Sequence, residues 1–71
     1  MNIAIVFGGK SGEHEVSLLS ASSIARNIPT AANRIYLIGI SKTGAWYLQD
    51  DAELERIKAD PKASLSISES D

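Results

Sequence analysis

Two apolar runs, the first unbroken and the second nearly continuous, frame the first half of the chain. The first, Ile3 to Phe7, is rich in β-branched residues, and its length predicts a strand covered on both faces, as in a parallel sheet. The second, Ile35 to Ile40, predicts another such strand. Between them the apolar residues repeat at helical spacing. They are Leu18, Ala21, Ala25 and Ile28, with Val16, Leu19 and Ile24 widening the stripe.

We expect strands at residues 2–7, 34–41 and 45–48 and helices at 13–28 and 51–58. Pro29 ends the first helix, and Asp50 caps the second, with Glu53 three residues later. Leu65 and Ile67 alternate with serines and indicate a weak strand at best. The predicted class is α/β: a three-layer open parallel sheet with a right-handed crossover, only part of which lies in this chain.

Composition narrows the functional classes. The chain has 71 residues, is 44% hydrophobic, carries a net charge of −2 and contains no cysteine. This length allows one domain at most, hiding about 60% of its unfolded surface. The weakly acidic balance argues against nucleic acid, and no run is long enough for a targeting or membrane segment. We expect a cytoplasmic protein, and the abrupt end in SLSISESD suggests a fragment of something larger.

Candidate chemistry concentrates after the first strand. Gly8 and Gly9 permit unusual backbone angles and close approach of a ligand. The helix begins between Gly12 and Glu15, and Ser11 is an equally good cap. A loop that joins amide donors, a positive helix end and carboxylates would suit a small zwitterion, or a ligand with phosphate and ammonium groups.

Three common motifs fail on named residues. A Walker A loop ending at Gly9-Lys10-Ser11 would need glycine where Ala4 lies within the strand. A dinucleotide fingerprint using Gly9 would begin at Phe7, which is not glycine. A zinc-protease helix starting at His14 would need a second histidine where Leu18 stands.

The stretch Gly8 to Ala21, GGKSGEHEVSLLSA, resembles the N-terminal signature of the D-alanine–D-alanine ligases of the ATP-grasp superfamily. The later Ile38-Gly39-Ile40 and Gly44-x-Trp46-Tyr47-Leu48 are similar to that family's second strand and hairpin, so the resemblance covers most of the chain. It implies a Rossmann-like pre-ATP-grasp domain over residues 1–71, with the ATP-grasp domains absent.

The resemblance also implies roles for the loop. Glu13 matches the glutamate that orients and binds the substrate ammonium, and we expect it to be both catalytic and substrate-binding. Gly8, Gly9 and Lys10 would complete the substrate-binding set. The supporting positions would be Ser11, His14 and Ser17. ATP and Mg²⁺ serve the family reaction, but we expect their ligands outside this segment and no metal ligand within it.

Commoner structural roles compete with several of these assignments. Acidic residues in a first helical turn often only complement the helix dipole, which remains the better interpretation for Glu15. His14 is more often a structural hydrogen-bonding residue than a catalyst, and Lys10 an exposed loop lysine. For Glu13, a charge-assisted hydrogen bond to an ammonium would contribute about 1.5–3 kcal/mol.

Two functional classes therefore stand. The first is the N-terminal segment of a D-alanine–D-alanine ligase, or of a related D-alanine–D-lactate or D-alanine–D-serine ligase, inactive alone. The resemblance implies D-alanine as substrate, ATP bound by later domains, and a homodimer. The second is a non-catalytic, ligand-binding or receiver-like α/β module. An unfinished sheet has an open edge, so we also expect the fragment to self-associate.

Overall fold

The computed structural model describes residues 1–9 and 14–69. Their elements follow in the order β1 (Asn2–Gly8), α1 (His14–Asn27), β2 (Arg34–Ile40), β3 (Trp46–Leu48) and α2 (Asp51–Ala59). The sequence-based bounds of the three strands and of α2 each differ by one residue at one end. The prediction that the first helix starts at residue 13 lies outside the described residues.

The sheet is mixed, with strand order β1-β2-β3. Strands β1 and β2 are parallel, and their register runs from Asn2 opposite Arg34 to Gly8 opposite Ile40. Strand β3 is antiparallel to β2 and returns through a turn at Gly44, whose φ is 92°. The α/β class is confirmed, and the parallel pair places the carboxyl ends of β1 and β2 side by side.

The core lies between one face of the sheet and the two helices. Ile5 and Phe7 alternate along β1 and are buried, and the small Ala25 is fully buried against them. Small residues on α1 allow the helix axis to approach the sheet closely. The buried hydrophobic residues are Ile5, Phe7, Ala21, Ala25, Ile35, Leu37, Ile57 and Leu65.

The opposite face of the sheet is open in the described residues. Val6 is 46% exposed and Leu48 66% exposed. The prediction that β1 is covered on both faces is therefore wrong for this chain. The physical reason is that α1 and α2 contact each other and so lie on the same side. A third layer would have to come from outside the described residues.

Helix α1 also has an exposed apolar stripe. Val16, Leu19 and Ile24, expected to widen its buried side, are 59%, 62% and 55% exposed. The prediction that they are buried was wrong because a three-stranded sheet covers only a narrow face of the helix. A wider sheet, with further elements packed around the helix, would cover more of its positions. Neither described helix is long and apolar enough to cross a membrane.

The carboxyl ends of the two helices stabilise one another. Arg26, in the last turn of α1, donates from Nε to the Ile57 carbonyl of α2 at 3.2 Å. In return, Lys58 of α2 donates from Nζ to the Ile28 carbonyl at 2.7 Å. Each cation satisfies carbonyls that the neighbouring helix leaves unpaired at its negative end. This exchange fixes the helix pair just before the chain leaves α2.

After α2 the chain forms an extended segment, residues 63–69, which we call the strap. The weak strand expected at Leu65 and Ile67 is not formed, because the strap joins no sheet ladder. Its backbone is held by side chains of α1, α2 and the β3–α2 connection. The buried Leu65 anchors the strap in the core, and Ile67 packs against it.

Candidate functional site

The candidate site lies where β1 and β2 end and α1 begins. In parallel α/β sheets, ligands bind in the crevice at the carboxyl ends of the strands. Here β1 ends at Gly8 and Gly9 follows it, and their φ angles are 91° and 114°. Residues with a side chain rarely adopt such angles, so glycine is required for this turn. The turn directs the chain away from the sheet toward the start of α1.

Three hydrogen bonds hold the glycine turn in place. The Gly8 amide donates to Ser17 Oγ at 3.0 Å, and the Gly9 amide donates to the Ile40 carbonyl at 2.9 Å. His14 Nδ1 lies 2.7 Å from the Gly9 carbonyl. A carbonyl can only accept, so this nitrogen carries the proton. His14 is only 8% exposed, and it therefore serves as an internal brace for the turn.

These bonds change the expected chemistry of the turn. The amides of Gly8 and Gly9 are used inside the protein, so the expectation that the loop offers amide donors to a ligand is not met at these two positions. Among the described residues, Gly9 leaves room for a ligand, because a Cβ built on it would meet none of their atoms within 4 Å. A Cβ on Gly8, in contrast, would lie 2.4 Å from the Ile40 carbonyl oxygen.

Two of the residues expected to bind the substrate, Lys10 and Glu13, lie outside the described part of the chain, as does the expected supporting residue Ser11. Glu13 immediately precedes His14, the first residue of α1. Its assignment as the ammonium-binding carboxylate stays a prediction. His14 and Ser17, which were expected to support the loop, both bond to the glycine turn. Their part in a ligand site stays a prediction as well.

A cavity of about 450 Å³ lies between the start of α1, the β2–β3 connection and the strap, and His14, which holds the turn, is part of its lining. Its rim includes an exposed ion pair, in which Lys42 Nζ lies 3.5 Å from Glu15 Oε1. Glu15 lies in the first turn of α1, and the ion pair joins that turn to the β2–β3 connection. Hydroxyl and apolar side chains supply much of the remaining lining, among them Ser41, Thr43, Ser64 and Ile67.

Sequence reasoning missed two residues near the turn. Gln49 is 8% exposed and hydrogen-bonded to the strap, and Ile67 packs over the ends of both parallel strands. The burial of Gln49 is visible only in the structure, where a buried amide needs partners. Nothing in the local pattern indicated its partner on the strap, Ser68, which lies 19 residues further along the chain.

The described residues do not fit a metal site. Within 1–9 and 14–69, no group of three or more histidine, aspartate or glutamate side chains is placed to hold an ion. Mg²⁺ prefers carboxylate and phosphate oxygens in octahedral geometry. No step of a reaction is therefore assigned to a metal bound by these residues.

Together, the parallel strand pair, the glycine turn at its carboxyl end and the helix that follows define an α/β unit of the class whose members bind ligands at the carboxyl ends of their parallel strands. Within that class the chain belongs to the family described as the D-ala D-ala ligase N-terminus, which matches residues 2–70.

Individual relatives agree with this assignment. The D-alanine–D-alanine ligase of Treponema denticola is 63% identical over 67 residues, which are 94% of this chain and 18% of the relative. Among solved structures, the VanG D-Ala:D-Ser ligase from Enterococcus faecalis matches with a TM-score of 0.70 at 46% identity, covering 82% of this chain and 17% of that one. The D-alanine–D-alanine ligase from Coxiella burnetii matches with a TM-score of 0.72 at 37% identity, covering 84% and 17%.

The chain thus spans less than one fifth of the length of these relatives. It corresponds to their N-terminal part, and the activities in their names belong to proteins several times longer.

Proposed function

We propose that this chain is the N-terminal portion of a pre-ATP-grasp domain in an ATP-dependent D-alanine–D-alanine ligase. In this proposal it forms one wall of the subsite for the first D-alanine and has no activity alone. Glu13 holds the substrate ammonium, and the surface at Gly8, Gly9 and Lys10 lies against the amino acid. Ser11, His14 and Ser17 support the loop.

The observation that carries this proposal is the braced turn. Ser17 and His14 belong to α1, and they bind the Gly8 amide and the Gly9 carbonyl. They therefore fix both ends of the loop that contains residues 10–13. A rigid support restricts where a carboxylate at residue 13 can point, and such restriction is what binding a small zwitterion requires. The family match over residues 2–70 supplies the substrate class.

ATP, Mg²⁺ and the second substrate complete the proposed reaction in the remainder of the protein. The family reaction activates D-alanine with ATP, and a second amino acid then attacks the activated carboxyl group. Because the VanG relative is named a D-Ala:D-Ser ligase, D-serine is the alternative second substrate. Chromatography of the products formed from D-alanine with and without D-serine separates the two. We further propose a cytoplasmic homodimer.

The test is a substitution in the full-length ligase that contains this segment. Glu13→Gln keeps the shape of the side chain but removes its charge. We expect KM for the first D-alanine to rise about 10- to 100-fold, the range for losing a charge-assisted hydrogen bond. KM for ATP should change by less than about twofold, because ATP would be bound by other domains.

The matched control is Glu55→Gln, which removes the same charge from an exposed site on α2. Glu55 borders a separate cavity near Arg34. Arg34 is the first residue of β2, so this cavity lies at the opposite end of the strands from the candidate site. If Glu13→Gln behaves like this control, Glu13 does not bind the substrate. A stop codon directly after Asp71 would instead favour the non-catalytic module.

A further inference from the structure

The strap is held to the rest of the chain by side chains that bond its backbone. Leu65 donates its amide to Ser22 Oγ at 2.7 Å, and Ser66 donates its amide to Glu53 Oε2 at 2.8 Å. Arg56 donates to the Ser64 carbonyl at 2.7 Å. An extended segment outside a sheet has no ladder to satisfy its amides and carbonyls, so these side chains take that role. The strap is therefore fixed in position, residue by residue.

Gln49 anchors the end of the strap nearest the candidate site. Its Oε1 accepts the Ser68 amide at 2.8 Å, and its Nε2 donates to the Ser68 carbonyl at 3.2 Å and to the Tyr47 carbonyl at 3.0 Å. Both ends of the amide group are used, and the residue is 8% exposed. Gln49 thus ties the strap directly to strand β3.

Between the anchors at Leu65 and Ser68, the side chain of Ile67 lies over the ends of both parallel strands. A Cβ placed on Gly39 of β2 would lie 2.7 Å from Ile67 Cγ1 and 2.9 Å from Cγ2. A Cβ placed on Gly8 of β1 would lie 2.9 Å from Ile67 Cδ1. The two glycines therefore make room for one isoleucine. Its Cγ1 and Cγ2 atoms face Gly39, and its Cδ1 methyl group faces Gly8.

The same contact reaches the brace of the turn. A Cβ on Gly8 would also lie 3.2 Å from Cε1 of the His14 ring. Ile67 and His14 thus enclose Gly8 from two sides, while His14 holds the Gly9 carbonyl. A displacement of Ile67 would open space beside Gly8 and next to the ring, which removes steric support from both.

We propose that Ile67 and Gln49 are positioning residues for the glycine turn. Gln49 fixes the strap, and the strap holds the Ile67 Cδ1 methyl group against Gly8, which limits the movement of the turn. That the turn borders the D-alanine subsite rests on the proposed function above. The effect on the turn itself does not depend on that function.

The sharpest variant is Ile67→Val. Valine keeps the two Cγ atoms that face Gly39 and removes only the Cδ1 that reaches Gly8. The matched control is Ile35→Val, which removes the same methyl group from the buried core at the other end of β2. A second variant, Gln49→Glu, keeps an acceptor for the Ser68 amide but cannot donate to the Tyr47 and Ser68 carbonyls.

The first measurement is amide hydrogen exchange by NMR on the 71-residue chain. We expect Ile67→Val and Gln49→Glu to speed exchange at the Gly8 and Gly9 amides about two- to tenfold relative to Ile5, whose amide faces β2. This is the range for one lost methyl group or one lost hydrogen bond. Ile35→Val should change all three amides together. Equal exchange ratios in Ile67→Val and the control would overturn the role of Ile67. A ratio unchanged in Gln49→Glu would overturn that of Gln49.

The second measurement is steady-state kinetics of the full-length ligase. Ile67→Val should raise KM for the first D-alanine about two- to tenfold with KM for ATP unchanged, and Ile67→Leu, which retains a methyl group at that depth, should restore part of the loss. If exchange at Gly8 changes but KM for D-alanine does not, the turn and the subsite are uncoupled and the second half of the inference is wrong. Failure of the proposed function is recognised separately, by a silent Glu13→Gln.

Discussion

Ser22 offers a direct way to measure how much the strap contributes to stability. Its hydroxyl donates to the Leu18 carbonyl at 2.6 Å and accepts the Leu65 amide at 2.7 Å. Ser22 is 3% exposed and Leu65 2% exposed, so water cannot easily replace the hydroxyl. Ser22→Ala removes the acceptor and leaves the Leu65 amide buried without that partner.

The magnitude follows from two opposing effects. A buried amide left without a partner costs about 1–3 kcal/mol. Alanine is a better helix former than serine, by roughly 0.5 kcal/mol at most, which offsets part of the loss. The free energy of unfolding should therefore fall by about 0.5–2.5 kcal/mol, a large share of the stability of a domain this small.

Urea unfolding followed by tryptophan fluorescence measures this change, since the chain has one tryptophan. The control is Ser20→Ala, an exposed position on the same helix. It carries the propensity gain alone and should be neutral or slightly stabilising. In the variant at residue 22, amide exchange at Leu65 should also accelerate. If the two alanine variants are equally stable, the Ser22 hydroxyl does not hold the strap and the described anchoring is wrong.

Three further predictions concern the same architecture. Gly39→Ala should lower the free energy of unfolding by about 1–3 kcal/mol, because the added methyl group overpacks against Ile67. Adding Ile67→Ala should relieve that collision. The double-mutant cycle should therefore show a coupling energy of about 1 kcal/mol or more. The hydrogen bond from Arg56 lowers the pKa of Glu53 below its ordinary value of 4.5. The contribution of this carboxylate to the free energy of unfolding is therefore fully present above the ordinary pKa and is lost as the pH falls through the lower, folded-state pKa. Glu53→Gln should abolish this loss in acid titrations followed by circular dichroism. Lys58→Met should lower the free energy of unfolding by about 0.3–1 kcal/mol, measured in urea, because the Ile28 carbonyl loses its cationic partner.

Each of these has an outcome that contradicts it. Additive effects of the substitutions at Gly39 and Ile67 would mean that the two residues do not share space. An unchanged acid dependence in Glu53→Gln would assign the acid sensitivity to other carboxylates. For Lys58, the matched control is Lys62→Met, an exposed lysine beyond α2, and equal losses in the two variants would remove the capping role.

The sequence predicts the central unit of the fold well because its signals are local. Apolar runs at Ile3 to Phe7 and Ile35 to Ile40 lie within β1 and β2, and Asp50 caps α2 as expected, accepting the Ala52 amide at 3.0 Å. Each signal needs only neighbouring residues. The prediction that β1 is covered on both faces was wrong for this chain. An apolar run indicates that a strand can be buried, but it does not indicate which layers of the fold the chain contains.

The strap could not be predicted for a different reason. Its bonds join residues 8 to 43 positions apart, through an arginine, a glutamate, a glutamine and a serine, and residues of these types are common on any surface. Local periodicity carries no information on such pairs. The glycine turn lies between these cases: the sequence predicted that Gly8 and Gly9 would be needed, but not that their amides would be used by Ser17 and Ile40.

The most direct test of the account is a crystal structure of the full-length ligase with D-alanine bound. We expect the Glu13 carboxylate at about 2.7–2.9 Å from the ammonium of the first D-alanine. We also expect Ser17 and His14 still to hold the Gly8–Gly9 turn. A Glu13 side chain directed away from the amino acid, or paired with a lysine or arginine of the protein, would contradict it.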